Sequence, residues 1–166
     1  MRNRKNPRLT QFDYRTPGAY FVTLVTRQRA LLLGKILSGS VHASPYGLCV
    51  AEEWERLSAR YNTLATDAFI VMPNHLHGII WLQPGNICCL SAIINHFKAG
   101  ISRRLGTPVW QRGFYDRVIR SEQELSAVRR YIAENPLKWE LDRLFVQGQT
   151  RHLKDVRDEH MTPGTH

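Results

Sequence analysis

The stretch from Ala68 to Leu82 constrains the fold of this chain more tightly than any other. Two β-rich apolar runs, Ala68 to Met72 and Leu76 to Leu82, stand on either side of Pro73-Asn74. Proline presets the backbone angle of a turn and asparagine tolerates the return conformation, so the pattern reads as two strands joined by a tight turn. His75 and His77 stand where the second strand leaves that turn. Side chains alternate faces along a strand, so residues two apart point the same way, roughly 7 Å apart at their Cα atoms. Two imidazoles in that arrangement can grip one metal ion, with a third donor supplied from elsewhere. The competing reading is two polar residues on a solvent-facing side of the strand.

The rest of the chain supplies elements to pack around that hairpin. Tyr20-Phe21-Val22-Thr23-Leu24-Val25-Thr26 reads as an earlier strand, and Leu31 to Val41 as a short strand or hairpin with Gly34 and Gly39 as turn residues. Val50, Trp54, Leu57 and Tyr61 recur at helical spacing behind Ser44-Pro45, a start signal, which predicts a helix over 45–61. Leu90, Ile93, Ile94, Phe97, Ile101 and Leu105 form a second helical stripe that ends near Gly106. A strand over Gly113 to Ile119 precedes Ser121-Glu122-Gln123-Glu124, the pattern of a capping box, and a third helix starts there. Pro136 predicts that this helix stops at Asn135, because proline pushes the residue before it out of helical geometry. This order of elements is that of an α+β fold: a ferredoxin-like, split βαβ antiparallel sheet, as in RNA-recognition domains, with helices on one face and an extra C-terminal helix.

Length and charge bound the function. A chain of 166 residues that is 43% apolar fits one domain. Residues 1–17 read as a basic N-terminal arm, 18–142 as the folded domain, and 143–166 as a polar tail whose last fifteen or so residues are expected to be poorly ordered. Lys and Arg number 23 against 14 acidic residues, for a net charge of +9, which suits a polyanionic partner. No run approaches the roughly 18 apolar residues of a membrane span, and no signal-type run follows the basic start, so a cytoplasmic protein is expected. Cys49, Cys88 and Cys89 have neither disulfide-framework nor zinc-finger spacing and read as small apolar residues.

On the third helix Tyr131 and Asn135 lie four residues apart, one turn from each other on one flank. Leu125, Val128 and Ile132 form the neighbouring apolar stripe that would pin the helix to the sheet, with Tyr131 at its border. Met72-Pro73-Asn74-His75-Leu76-His77-Gly78-Ile79 followed by Tyr131-Ile132-Ala133-Glu134-Asn135-Pro136 resembles the signatures of the single-tyrosine HUH transposases. Within them the chain is most similar to the REP-associated tyrosine transposases, through Trp110-Gln111-Arg112-Gly113-Phe114-Tyr115-Asp116 and Asn135-Pro136-Leu137-Lys138-Trp139 as well. The resemblance spans roughly residues 18–142 in the same order.

That resemblance implies a metal-dependent endonuclease and strand transferase that cleaves single-stranded DNA near hairpins through a 5′-phosphotyrosine intermediate. It implies Tyr131 as nucleophile and His75, His77 and Asn135 as ligands of Mg2+ or Mn2+. Asn135 departs from the longer glutamine that some relatives carry there. Partners implied are single-stranded or hairpin DNA, and the protein would act as a monomer or homodimer. Neutral imidazoles are required for ligation, so activity is expected to fall as pH drops through about 6.5.

Candidate DNA contacts are Arg2, Arg4, Lys5 and Arg8 of the arm, Lys98, Arg103 and Arg104 of the second helix, and Arg112, Arg117 and Arg120 beside Phe114 and Tyr115. Tyr115 is the second candidate nucleophile, but lacks an amide one helical turn later. The rival readings are a non-cleaving single-stranded nucleic-acid-binding module, a domesticated transposase acting on repeated palindromes, and a small metal-dependent nucleotide hydrolase that forms no covalent adduct.

Overall fold

The computed structural model describes residues 13–158, with side chains as far as residue 140. The runs flanking Pro73-Asn74 pair antiparallel as β4 (Leu64–Met72) and β5 (His75–Leu82), with Met72 opposite His75. β1 (Gly18–Val25) pairs along the other edge of β5 and β6 (Tyr115–Ile119) pairs beyond β1, which gives a four-stranded antiparallel sheet ordered β4-β5-β1-β6. This is the ferredoxin-like split βαβ order expected from the sequence. A small hairpin, β2 (Gly34–Leu37) and β3 (Ser40–Ala43), stands apart from the sheet. Its turn is Ser38-Gly39, both at positive φ, the twist-matching geometry of two-residue hairpins. Gly34 is not a turn residue but the first residue of β2.

Alternation along the strands divides the sheet into two faces. Leu76, Ile80 and Leu82 of β5, with Tyr20, Val22 and Leu24 of β1, are buried under α1 (Pro45–Glu55) and α3 (Leu90–Leu105). Ser44 caps α1 by accepting from the Gly47 N–H at 3.1 Å with Pro45 in the first turn, and Gly106 ends α3 in the left-handed conformation at φ 68°. A single turn, α2 (Leu57–Arg60), completes the stretch expected as one helix. Gly78 faces this core. A Cβ there would sit 2.3 Å from Cζ2 of Trp54, so glycine is what lets the indole lie against the strand.

The other face carries Ala19, Phe21, Thr23, His77, Ile79 and Trp81, and it is partly covered by α4 (Glu122–Asp158). Leu125, Val128 and Ile132 seat on Ala19, Ile79 and Ile119, the stripe expected from their spacing. At the start of α4 the Ser121 hydroxyl accepts from the Glu124 N–H at 3.1 Å. The Glu124 carboxylate reaches back one residue further than a capping box requires, to the Arg120 N–H at 2.8 Å.

The predicted stop at Asn135 is incorrect: α4 continues through Pro136 to Asp158. An interior proline removes one helical hydrogen bond and costs about 3 kcal/mol, but tertiary anchors beyond it hold the helix on course. The Glu140 carboxylate accepts from the Gly39 N–H in the hairpin turn, Leu137 lies against Gly39, and Trp139 lies 5.9 Å from His75 between ring centroids. The helix backbone therefore crosses the boundary at residue 143, and the expectations for residues 1–12 and 159–166 lie outside the described residues.

Candidate active site

The site is built where β5 leaves its turn. His77 heads a cross-strand row, with Thr23 opposite it on β1 and Tyr115 opposite Thr23 on β6. His75 lies in the next row, opposite Val25. The imidazoles are 4.5 Å apart between centroids, so the two rings do converge as the His-x-His spacing predicts. His77 is 6% exposed. Thr23, Val25, Arg29, Asn74, His75, His77 and Tyr115 line a cleft of about 320 Å³ that opens to solvent.

Hydrogen bonds fix the rings. The Asn74 amide donates to the Arg29 carbonyl at 3.3 Å, which turns its oxygen toward His75 Nδ1 at 2.8 Å. An amide oxygen only accepts, so Nδ1 carries the proton of the neutral ring. His77 Nδ1 is 2.8 Å from Thr23 Oγ1, a hydroxyl that can donate to or accept from the ring. Burial pushes His75 down to about 4, with the Asn135 hydrogen bond opposing and the Arg29 charge adding to the fall. Burial, and then the neighbouring His75, pushes His77 down to about 3. Both rings are therefore neutral well below pH 6.5.

α4 brings the remaining groups. Tyr131 lies 5.3 Å from His77 and 6.1 Å from Phe21 between ring centroids, and it is 40% exposed. One turn on, the buried Asn135 hydrogen-bonds His75. Because the helix continues past Pro136, Lys138 and Trp139 join the same flank. The Lys138 ammonium stands 5.3 Å from the Tyr131 ring centre, and Trp139 covers His75. Among the described residues no three His, Cys, Asp or Glu side chains come together. Two neutral imidazoles and one amide fit a divalent ion whose other positions would be taken by water or phosphate oxygens.

Thr23, Arg29, Phe21, Lys138 and Trp139 are site residues that the sequence did not single out. Continuation of the helix at i+7 and i+8 from Tyr131 was the available signal for the last two.

The charged candidates separate. Arg117 lies on the site face beside Tyr131 and Phe21. Arg112 and Arg120 are exposed in the segments flanking β6. Lys98, Arg103 and Arg104 belong to α3, across the sheet from the histidines. The Lys98 ammonium donates to the carbonyls of Gln111 and Gly113 at 2.8 and 2.7 Å, and Arg104 pairs with Glu52 and Glu53 at 2.8 and 3.1 Å. These two cations are committed to holding the fold. Phe114 is packed in the core at 5% exposure, so it is no stacking platform. Tyr115, 42% exposed, opens into the cleft. Arg2, Arg4, Lys5 and Arg8 lie outside the described residues.

Among the described residues no helix is long and apolar enough to cross a membrane.

No family model matches the chain. It is 31% identical over 169 residues to a protein of Haemophilus influenzae described as uncharacterized, an alignment covering 87% of this chain and 94% of that one. Among solved structures, it resembles a REP-associated tyrosine transposase bound to a REP hairpin, with a TM-score of 0.63, 22% identity, and coverage of 77% of this chain and 72% of that one. A candidate transposase from Deinococcus radiodurans is similar at a TM-score of 0.50 and 17% identity, over 73% of this chain and 92% of that one. The chain belongs to one family with the Haemophilus protein, and its fold is that of the REP-associated tyrosine transposase.

Proposed function

We propose that this protein is a transposase-like enzyme that nicks and rejoins single-stranded DNA at hairpins, with Tyr131 as nucleophile. The observation that carries the reading is the convergence of the Tyr131 ring on His77 at 5.3 Å, beside a second imidazole and the Asn135 amide. The fold shared with a transposase bound to a REP hairpin supports hairpin DNA as the substrate class. Mg2+ or Mn2+ held by His75, His77 and Asn135 would polarise the non-bridging oxygens of the scissile phosphate.

In this reading the Tyr131 hydroxyl oxygen bonds to phosphorus as the bond to the 3′ oxygen breaks. The phenolic proton passes to solvent and the departing 3′ oxygen takes one up, so the DNA is left joined by its 5′ phosphate to Tyr131. Attack by the free 3′ hydroxyl of the same or another strand reverses the step and needs no nucleotide cofactor. Asn74 and Thr23 hold the two rings in place through Nδ1, and burial keeps the rings neutral. Arg112, Arg117 and Arg120, with the basic arm, supply phosphate contacts.

α4 packs over part of the sheet face that an open, non-cleaving binding module would offer to bases, and it sets Tyr131 beside the histidines, which favours the enzyme. The test mixes full-length protein with a labelled hairpin oligonucleotide and Mn2+, then looks for a slow band on a denaturing gel. The adduct should disappear in Tyr131→Phe and in EDTA, and persist in Tyr115→Phe. An adduct that survives in Tyr131→Phe refutes the nucleophile. No adduct under any divalent ion leaves a binding module or a domesticated transposase as the better reading.

A further inference from the structure

Two cations stand at the ends of the site, and among the described residues neither makes an ion pair. Arg29 lines the histidine cleft from the turn that follows β1. Gln28 and Arg29 both have φ of 55°, a left-handed conformation that non-glycine residues seldom adopt and that persists only when the surroundings impose it. The imposing contacts are visible. The Thr26 hydroxyl lies 2.8 Å from the Ala30 carbonyl and 3.0 Å from the Asn74 carbonyl, and the Asn74 amide donates to the Arg29 carbonyl. The same Asn74 side chain orients His75, so one residue ties the presentation of Arg29 to the presentation of a proposed ligand.

Arg117 is two residues from Tyr115 on β6, opposite Phe21, and lines a second cavity of about 270 Å³ with Phe21 and Tyr131. The two cavities lie side by side along β1. From Val25 at the Arg29 end to Phe21 at the Arg117 end is four residues, roughly 13 Å of strand, with Tyr115 in the row between. Arg60, Arg104 and Arg129, by contrast, are all paired with carboxylates. Unpaired guanidinium groups at both ends of an aromatic-lined channel match an extended strand whose phosphates are charged and whose bases are free to stack.

We propose that a single nucleic-acid strand lies along β1 on this face, gripped at one phosphate by Arg29 and at another by Arg117, with an unpaired base stacked on Tyr115 between them. That the strand is DNA rests on the function proposed above.

The test measures binding of full-length protein to a fluorescent hairpin oligonucleotide with a single-stranded flank, in EDTA, over a series of salt concentrations. Each phosphate contact on a single strand contributes about 0.7 to the slope of log affinity against log salt. Arg29→Gln and Arg117→Gln should each flatten the slope by about that amount, and the double variant by about 1.4. Tyr115→Leu should weaken binding about tenfold with the slope unchanged. Arg103→Gln, across the sheet, serves as the control and should bind as the parent does. Parental slopes in both site variants overturn the proposal, as does an equal loss in Arg103→Gln, which would mean diffuse attraction to a basic surface. Covalent adduct formation is scored separately. Flattened slopes without any adduct sustain the strand path and refute the nicking reading, and normal adducts with parental slopes do the reverse.

Discussion

The two faces of the sheet are made from the same strands and are put to opposite uses. On the side of α1 and α3, polar groups are spent on structure: Glu53 is surrounded by Arg56, Arg60 and Arg104, and Lys98 is tied to two carbonyls. On the side of α4, the buried polar groups among the described residues are His77 and Asn135, and the helix covers only part of the face, leaving one cleft beside Tyr131 and another beside the histidines. β5 shows the division most sharply, because His77 faces one side and Gly78, its neighbour, the other. Adjacent residues should therefore fail in different ways. His77→Ala should lower adduct formation at least a hundredfold through loss of a proposed ligand, while thermal unfolding shows a folded protein. Gly78→Ala drives a methyl into the Trp54 ring and should destabilise by about 3 kcal/mol, with chemistry preserved in whatever remains folded. A melting temperature lowered more by His77→Ala than by Gly78→Ala would break the division.

One polar contact on the α4 face is structural, and it sharpens the comparison. The β-bulge between Thr66 and Phe69 in β4 re-aims Asp67, whose carboxylate accepts from Arg129 of α4 at 2.6 and 3.0 Å and from the Trp81 indole at 3.0 Å. Arg129 is two residues from Tyr131, so this fork sets where the tyrosine stands along the sheet. Asp67→Asn keeps the shape and removes the charge. It should destabilise by about 1–2 kcal/mol and slow adduct formation about tenfold, with DNA affinity unchanged because the strand path runs over β1 and β6. Equal losses of rate and affinity would show that Asp67 acts through the whole fold and not through the placement of α4.

Much of this was legible in the sequence, and the failures have physical causes. Strand alternation and helical stripes carried the sheet order, the caps at Ser44, Gly106 and Ser121, and the facing of His75 and His77, because these depend on local geometry. Pro136 misled because its penalty is local, whereas the contacts that outweigh it join Glu140 to Gly39 and Trp139 to His75 across the fold. Two site residues, Lys138 and Trp139, were lost with that boundary. Phe114 was misplaced by its basic neighbours. The alternation that turns Tyr115 and Arg117 to the site face, carried back one residue, would have sent it to the core. Arg29 sits in an irregular turn, where neither periodicity nor spacing marks a residue.

The smallest expected effect is the Asp67 share of a pH dependence that has the same sign in two windows. The unfolded chain protonates His75 and His77 near 6.5, but the folded chain resists until about 4 and about 3. Between those values the unfolded state binds more protons, so stability is intact above pH 6.5 and declines as pH falls toward 4. Asp67 acts lower. The Arg129 hydrogen bonds, against burial, hold its carboxyl at about 2, so its contribution is present above its ordinary value of 3.8 and is lost as pH falls from there toward 2. Solvent screening around the exposed Arg129 keeps the Asp67 contribution to about 1 kcal/mol. Chemical denaturation of the parent and of Asp67→Asn at pH 7, 5, 4 and 3 separates the two sources. The variants should run parallel down to about pH 4 and converge below it, since protonation removes from the parent what the substitution has already removed. A gap that stays the same from pH 7 to 3 would mean that Asp67 titrates as an ordinary carboxyl and that the fork does not hold α4 in place.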